Sequence, residues 1–419
     1  MLTIPTRART SLALLAALLC GAAAAQAAPN GGAKLTPLAR PPVWAQLDPY
    51  QKTVTREEFD SRLKALYATT PASLAAFRRY AEEDAGEIVF YADDGKLTPR
   101  YRLAFATEGD RRPSPRREPG HPPVICLDPG HIGGPWAHME ERFFQIDHDL
   151  PVLEAKLNLL ACRRIEAALL QAGFRVVWTK KDEEPVTSLR PEDLRGPALQ
   201  ALFENGHPLS LLPQPLLERQ IDVEAEKLFY RTAEIDARAK RVAALRPDLT
   251  LCIHFNAAPW GSPYRPDFVP QSRLVVFVHG QYGPDEIAYE DERFGLVRKL
   301  LEGTAPEEAA LAALVAKNLQ KVWPDYPPET YQDWPAVRRV GPNPCVYARN
   351  LLANRAFPGP VVFVEGPYMN ARDAYARIEA GDYDGLKLVA GKRQPSLFSE
   401  YGQAVADAVI AYLGKPAPQ

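Results

Sequence analysis

Four short runs of this chain are apolar on both faces, and few folds can accommodate such runs. They are Val124 to Leu127, Leu249 to Ile253, Leu274 to Val278 and Val361 to Val364. Runs of this length read as buried strands of a parallel sheet, although periodicity by itself does not separate them from core helix. Three of them end in a residue able to bind a metal or work beside one. The first runs into Asp128-Pro129-Gly130-His131, the second into His254-Phe255-Asn256-Ala257 and the last into Glu365-Gly366-Pro367-Tyr368. Ligands of open α/β sheets bind beyond the carboxyl ends of the strands. Two imidazoles and a carboxylate delivered to one such edge point to a metal-dependent hydrolase.

The chain of 419 residues is long enough for two to three domains, or for one α/β domain with insertions. A formal net charge of −2 and the lack of any Lys/Arg block argue against a nucleic-acid partner. Proline, at 41 residues, is about twice its usual share and concentrates in connections such as 258–270. Residues 1–27 read as a signal peptide. Arg7 and Arg9 precede the apolar stretch from Leu12, and Ala25-Gln26-Ala27 is a small-x-small cleavage site. The apolar stretch is short for a membrane span. The mature protein is therefore expected to be exported to the periplasm or cell envelope, with no membrane span left. Cys126, Cys162, Cys252 and Cys345 have no metal-knuckle spacing and read as buried, reduced thiols, although export would permit a disulfide.

Residues 28–118 form a small α+β module and a linker. Thr55 and Glu58 make a capping-box pattern ahead of the helix face Phe59, Leu63, Leu66 and Tyr67. Glu87 to Tyr91 and Tyr101 to Ala106 read as strands around the Asp94-Gly95 turn. This unit could pack on the main domain or bind a ligand of its own. The main domain, 119–415, is expected to be α/β: a twisted, mostly parallel sheet with helices on both faces and insertions near 182–213 and 259–345. Glu154 to Gln171 carries a helical pattern closed by Gly173, and Phe174 to Thr179 is the next strand. Residues 182–213 read as a loop-rich insertion. Helical patterns follow at 216–245, 286–301, 306–322 and 399–413.

Zinc hydrolases use about three protein ligands and leave a position for water. His131 and His254 supply two, and His138, Glu140, Glu141, His148, Asp149 and Glu154 are candidates for the third. Glu154 is favoured, because Asn158 lies one turn on along the same helix face and could orient it. An acid at a helix start also simply complements the dipole. Glu365 ends an apolar strand, where an unpaired carboxylate is costly. It either pairs with an arginine such as Arg349 or serves the strand-end site as a general base for water at the metal.

These blocks, in this order, resemble the zinc-dependent N-acetylmuramoyl-L-alanine amidases of bacterial cell-wall turnover, over about 119–415. Asp128 to His131 matches that family's opening strand end, and Glu154, Asn158 and Leu159 match its Glu-x-x-x-Asn-Leu helix start. Cys252 to Ala257 matches its Ser-Ile-His-x-Asn-Ala-like segment, and Pro360 to Glu365 its closing strand. Arg238 and Arg349 match arginines that precede the second and last strands. The resemblance implies Zn2+ held by His131, Glu154 and His254, with Glu365 as catalytic acid/base. It also implies a peptidoglycan or muropeptide substrate, cut between N-acetylmuramic acid and L-alanine. Asn158, Asn256, Arg238 and Arg349 become candidates for contacts behind the ligands or to substrate.

This chain departs from the family after Glu365, where Gly366-Pro367-Tyr368-Met369-Asn370 replaces a Gly-Phe-Leu-Ser-Asn-like turn. His131 and Glu154 are 23 positions apart and His254 and Glu365 111, both long intervals; the first keeps Glu140 and Glu141 as rival ligands. Some members carry a helix over the zinc that a partner removes, so 280–345 is expected to be either such a lid, answering to an activating protein, or a surface insertion. Rival readings are a zinc peptidase or deacetylase on another exported substrate, and a non-catalytic peptidoglycan-binding regulator. A cysteine nucleophile is disfavoured, since both strand cysteines precede their turns.

Overall fold

The computed structural model describes residues 32–115, 122–331 and 334–416, so the expected signal peptide lies outside the described residues. The first unit starts with helix α1 (Arg56–Arg62), where Thr55 and Glu58 close the expected capping box. Helix α2 (Pro71–Arg79) leads into an antiparallel sheet of β1 (Ala81–Glu83), β2 (Glu87–Tyr91) and β3 (Pro99–Ala104).

The main sheet has seven strands: β4 (Val124–Pro129), β5 (Arg175–Trp178), β6 (Leu249–Phe255), β7 (Val275–His279), β8 (Val337–Arg339), β9 (Val346–Arg349) and β10 (Val361–Gly366). Their order is β8-β9-β7-β10-β6-β4-β5. The pairs β4–β5, β4–β6, β6–β10 and β7–β9 are parallel, while β7–β10 and β8–β9 are antiparallel. The sheet is thus mixed but mostly parallel. Because β4, β6 and β10 run in one direction, their carboxyl ends share one edge. The fourth apolar run, β7, opposes β10, so its terminal His279 is carried to the other edge.

Residues alternate between the two faces as a pleated sheet requires. Ile125, Leu127, Leu251, Ile253, Val362 and Val364 enter the main core with α3 (Glu154–Gln171), α6 (Ala305–Val322) and α7 (Leu397–Leu413). Cys126, Cys252, Phe277 and Phe363 enter a second core with Val242 of α4 (Glu234–Leu245) and Phe357. All four described cysteines are buried and free. Gly173 sits one residue past the α3 C-cap with φ of 92°, a backbone state glycine adopts without strain.

The insertion 182–213 is less loop-like than its sequence suggests: Arg195–Glu204 is helical and packs with Gln214–Lys227 around Ala198, Leu202, Ile221 and Phe229. Its weak apolar periodicity hid the helix, because tertiary contacts rather than an amphipathic pattern hold it. The N-terminal unit joins the main core. Trp44 stacks on Phe90 at 5.2 Å and meets Phe294 of α5 (Glu290–Glu302) edge-on at 5.3 Å. The amides of Gln281 and Tyr282 donate to the carbonyls of Leu66 and Tyr67 at 2.7 and 2.8 Å. Among the described residues, no helix is long and apolar enough to cross a membrane.

Candidate metal centre

His131 follows β4 in a left-handed backbone state, φ of 62°, which is uncommon for a residue with a Cβ. Buried cations hold it there. Arg238 donates to the carbonyls of Pro129 and His131 at 2.9 and 2.8 Å and pairs with Glu234 at 2.7 Å. Lys180 also donates to the His131 carbonyl. Asp128, buried in the same motif, accepts from Thr179 at 2.5 Å and faces Arg238 at 3.4 Å. Asn158 donates to the Gly130 carbonyl at 3.0 Å. Gly130 itself is required by a close approach: a Cβ there would stand 2.1 Å from the His254 ring.

The three favoured ligands come together. Glu154 Oε1 lies 3.2 Å from His131 Nε2 and 3.1 Å from His254 Nδ1, and one ligand atom from each residue lies within 4.8 Å of the others. Ligand atoms on a tetrahedral ion with bonds near 2.1 Å stand roughly 3.4 Å apart, so the spacing fits a metal. The donor set fits as well: neutral imidazoles and a carboxylate suit zinc and its neighbours. Glu140 is not a fourth member. Its carboxylate lies 3.0 Å from His131 Nδ1 and accepts from Ile132 N at 3.1 Å, the arrangement that turns Nε2 of a ligating histidine toward its metal. Glu141 and His138 line the cavity beside the cluster, and Asp149 accepts from Tyr375 at 2.7 Å, away from it.

Electrostatics support a cation at this point. Burial opposes charge on both His131 and Glu154, yet their mutual attraction outweighs it. His131, with Glu154 and Glu140 facing it, is raised to about 9, and Glu154 is held well below the usual carboxylate range. His254 is pushed down by burial and by His131. The two carboxylates facing His131 thus favour positive charge at this point, which a divalent ion would also supply.

Glu365 pairs in register with His254 across β6 and β10, so both project from the same face. Loss of hydration, then the Glu154 charge, pushes its carboxyl up to about 8. It forms no ion pair with Arg349, which pairs in register with His279 and stacks over Trp334 at 4.8 Å. Arg238 is wholly buried behind the His131 loop. Asn256 lines the cavity, and its side-chain oxygen accepts from Ala257 N at 2.8 Å.

The open cavity over this cluster measures about 700 Å³. Its walls are two loops, His138 to Phe143 and Phe255 to Pro263, with Glu365 at the floor. None of the described residues of 280–345 lines it, so that segment is not a cover over the cluster; α5 and α6 carry its apolar residues into the core instead.

No family model and no curated protein matches the chain. It is similar to several solved structures. The N-acetylmuramyl-L-alanine amidase Ami1 from Mycobacterium abscessus, in its apo form, is 17% identical, with 70% of this chain and 100% of that one covered and a TM-score of 0.38. The N-acetylmuramoyl-L-alanine amidase from Clostridium difficile 630 is 12% identical, with 71% and 100% covered and a TM-score of 0.38. The CwlD amidase from Clostridioides difficile, solved in complex with the GerS lipoprotein, is 12% identical, with 70% and 98% covered and a TM-score of 0.37. Cwp6 from Clostridium difficile is matched over 29% of its length, at 12% identity, 70% of this chain and a TM-score of 0.36.

Proposed function

We propose that this chain is a zinc-dependent N-acetylmuramoyl-L-alanine amidase, exported to the cell envelope and acting on peptidoglycan or its fragments. The observation that carries the reading is the convergence of His131, Glu154 and His254 with Glu365 beside them, in an open cavity at one sheet edge. His131 and His254 would hold zinc through ring nitrogens and Glu154 through Oε1. The ion would supply Lewis acidity toward the amide carbonyl and lower the pKa of a water.

The remaining work belongs to side chains of this chain. Glu365 would take a proton from the attacking water and return it to the nitrogen of the departing L-alanine. A carboxyl raised toward neutral pH by its surroundings suits both halves of that transfer. Glu140 would keep the His131 ring turned toward the ion, while Arg238, Lys180 and Asn158 fix the loop that carries it. The cavity is open rather than enclosed, which suits a polymer or branched fragment as substrate. Zinc titration of the metal-free protein tests the foundation. Stoichiometric binding that His254→Ala abolishes is expected, and a protein that binds no divalent metal would end this reading.

A further inference from the structure

Arg142 is the only lysine or arginine among the described residues lining the cavity. Its side chain is 41% exposed, and its Nε lies 3.2 Å from Glu154 Oε2, the oxygen turned away from the two histidines. One Nη donates to the Glu141 carbonyl at 3.1 Å, and Nη2 has no partner among the described residues. The backbone is fixed too: the Arg142 amide donates to the Ala137 carbonyl at 2.9 Å, and the Arg142 carbonyl accepts from the Glu154 amide at 3.2 Å. A guanidinium so anchored is a pre-oriented fork with donors left over, the geometry that suits a planar carboxylate. The other ionisable side chains of the cavity wall are the acids Glu141, Glu154 and Glu365 and the imidazoles of His131 and His138. A second anion entering this cavity therefore has one permanent cation in the wall to meet.

We infer that Arg142 determines specificity by binding a carboxylate of the substrate that follows the alanine of the scissile amide, while its Nε fixes Glu154 Oε2. The inference rests on the amidase reading. Two lactyl–L-alanyl peptides that differ only in whether the carboxylate after alanine is free or amidated test it. A charge-assisted pair of hydrogen bonds is worth about 10- to 100-fold. The zinc enzyme is expected to favour the free acid by that factor in kcat/KM, mainly through KM. Arg142→Met should erase the preference and Arg142→Lys retain part of it. Calorimetry on zinc-loaded Glu365→Gln protein, which binds without turnover, should show the same difference in affinity, lost when Arg142→Met is added. A preference that survives in Arg142→Met overturns the inference, as does a lowered zinc affinity with the preference intact, which would leave Arg142 as a clamp on Glu154 alone. A native enzyme that cleaves both peptides equally also overturns it, with the amidase reading intact. One that cleaves neither overturns that reading first.

Discussion

Glu140→Gln removes a charge from behind His131 while nearly keeping the side chain's volume. In the native protein one carboxylate oxygen serves two groups, His131 Nδ1 at 3.0 Å and the Ile132 amide at 3.1 Å, in a pocket that leaves the side chain 3% exposed. The glutamine oxygen can still accept from Nδ1, but the charge that makes His131 a stronger donor to metal is gone. Partners of this kind carry about 10- to 100-fold in metal affinity, or about 1.4–2.7 kcal/mol. Glu140→Ala should reach the upper end and add about 1–3 kcal/mol of lost stability, because the Ile132 amide is left buried without a partner. Competition between the protein and a chromophoric chelator for Zn2+ measures the first effect, and urea unfolding the second. An affinity unchanged in Glu140→Gln would refute the reasoning. So would complete loss of zinc, matching His131→Ala, because it would make Glu140 a ligand in its own right.

Glu365→Gln should keep stoichiometric zinc and lose about 10²- to 10⁴-fold in kcat, the range of a positioned acid–base group; turnover within a few-fold of native would remove Glu365 from the chemistry. Gly130→Ala drives a methyl into the His254 ring, 2.1 Å away, so zinc content should collapse while circular dichroism of the fold persists; normal zinc binding would show that the loop moves freely. Glu292, paired with Arg355 at 3.2 Å, is raised by burial to about 7. Its folded-state pKa exceeds its unfolded one, so its contribution is full below about pH 4.5 and lost as pH rises through 7. Native stability should therefore fall relative to Glu292→Gln across that window, on the order of 3 kcal/mol; parallel pH profiles in urea unfolding would contradict this.

The sheet and the site edge were legible because they depend on local pattern. A buried strand must be apolar on both faces, so β4, β6 and β10 announced themselves, and their shared direction put His131, His254 and Glu365 together. Glu154 was favoured from its place at the start of α3, where an acid also suits the helix dipole, and the family resemblance implied it as a ligand. What stayed hidden depends on chain reversals that spacing does not encode. Glu140 reaches back to His131 through a loop with left-handed residues at His131 and Gly134, φ of 62° and 55°. Linear spacing could only offer it as a rival ligand. The grip of Lys180 on the His131 carbonyl and of Arg142 on Glu154 Oε2 are contacts of the same kind. Arg238 was singled out by the family resemblance, but only packing shows it as a buried brace behind the loop. The segment 280–345 looked like a lid by its length, whereas its helices complete the core that also receives the N-terminal unit.

The bond that is cut decides the central claim. Purified peptidoglycan sacculi digested with the zinc-loaded protein should yield, in equal amounts, new free lactyl carboxyls on muramic acid and new free amines on L-alanine, identified by amine labelling and mass spectrometry of the products. New amines on any other stem residue, released acetate, or sacculi bound without any new end group would contradict it.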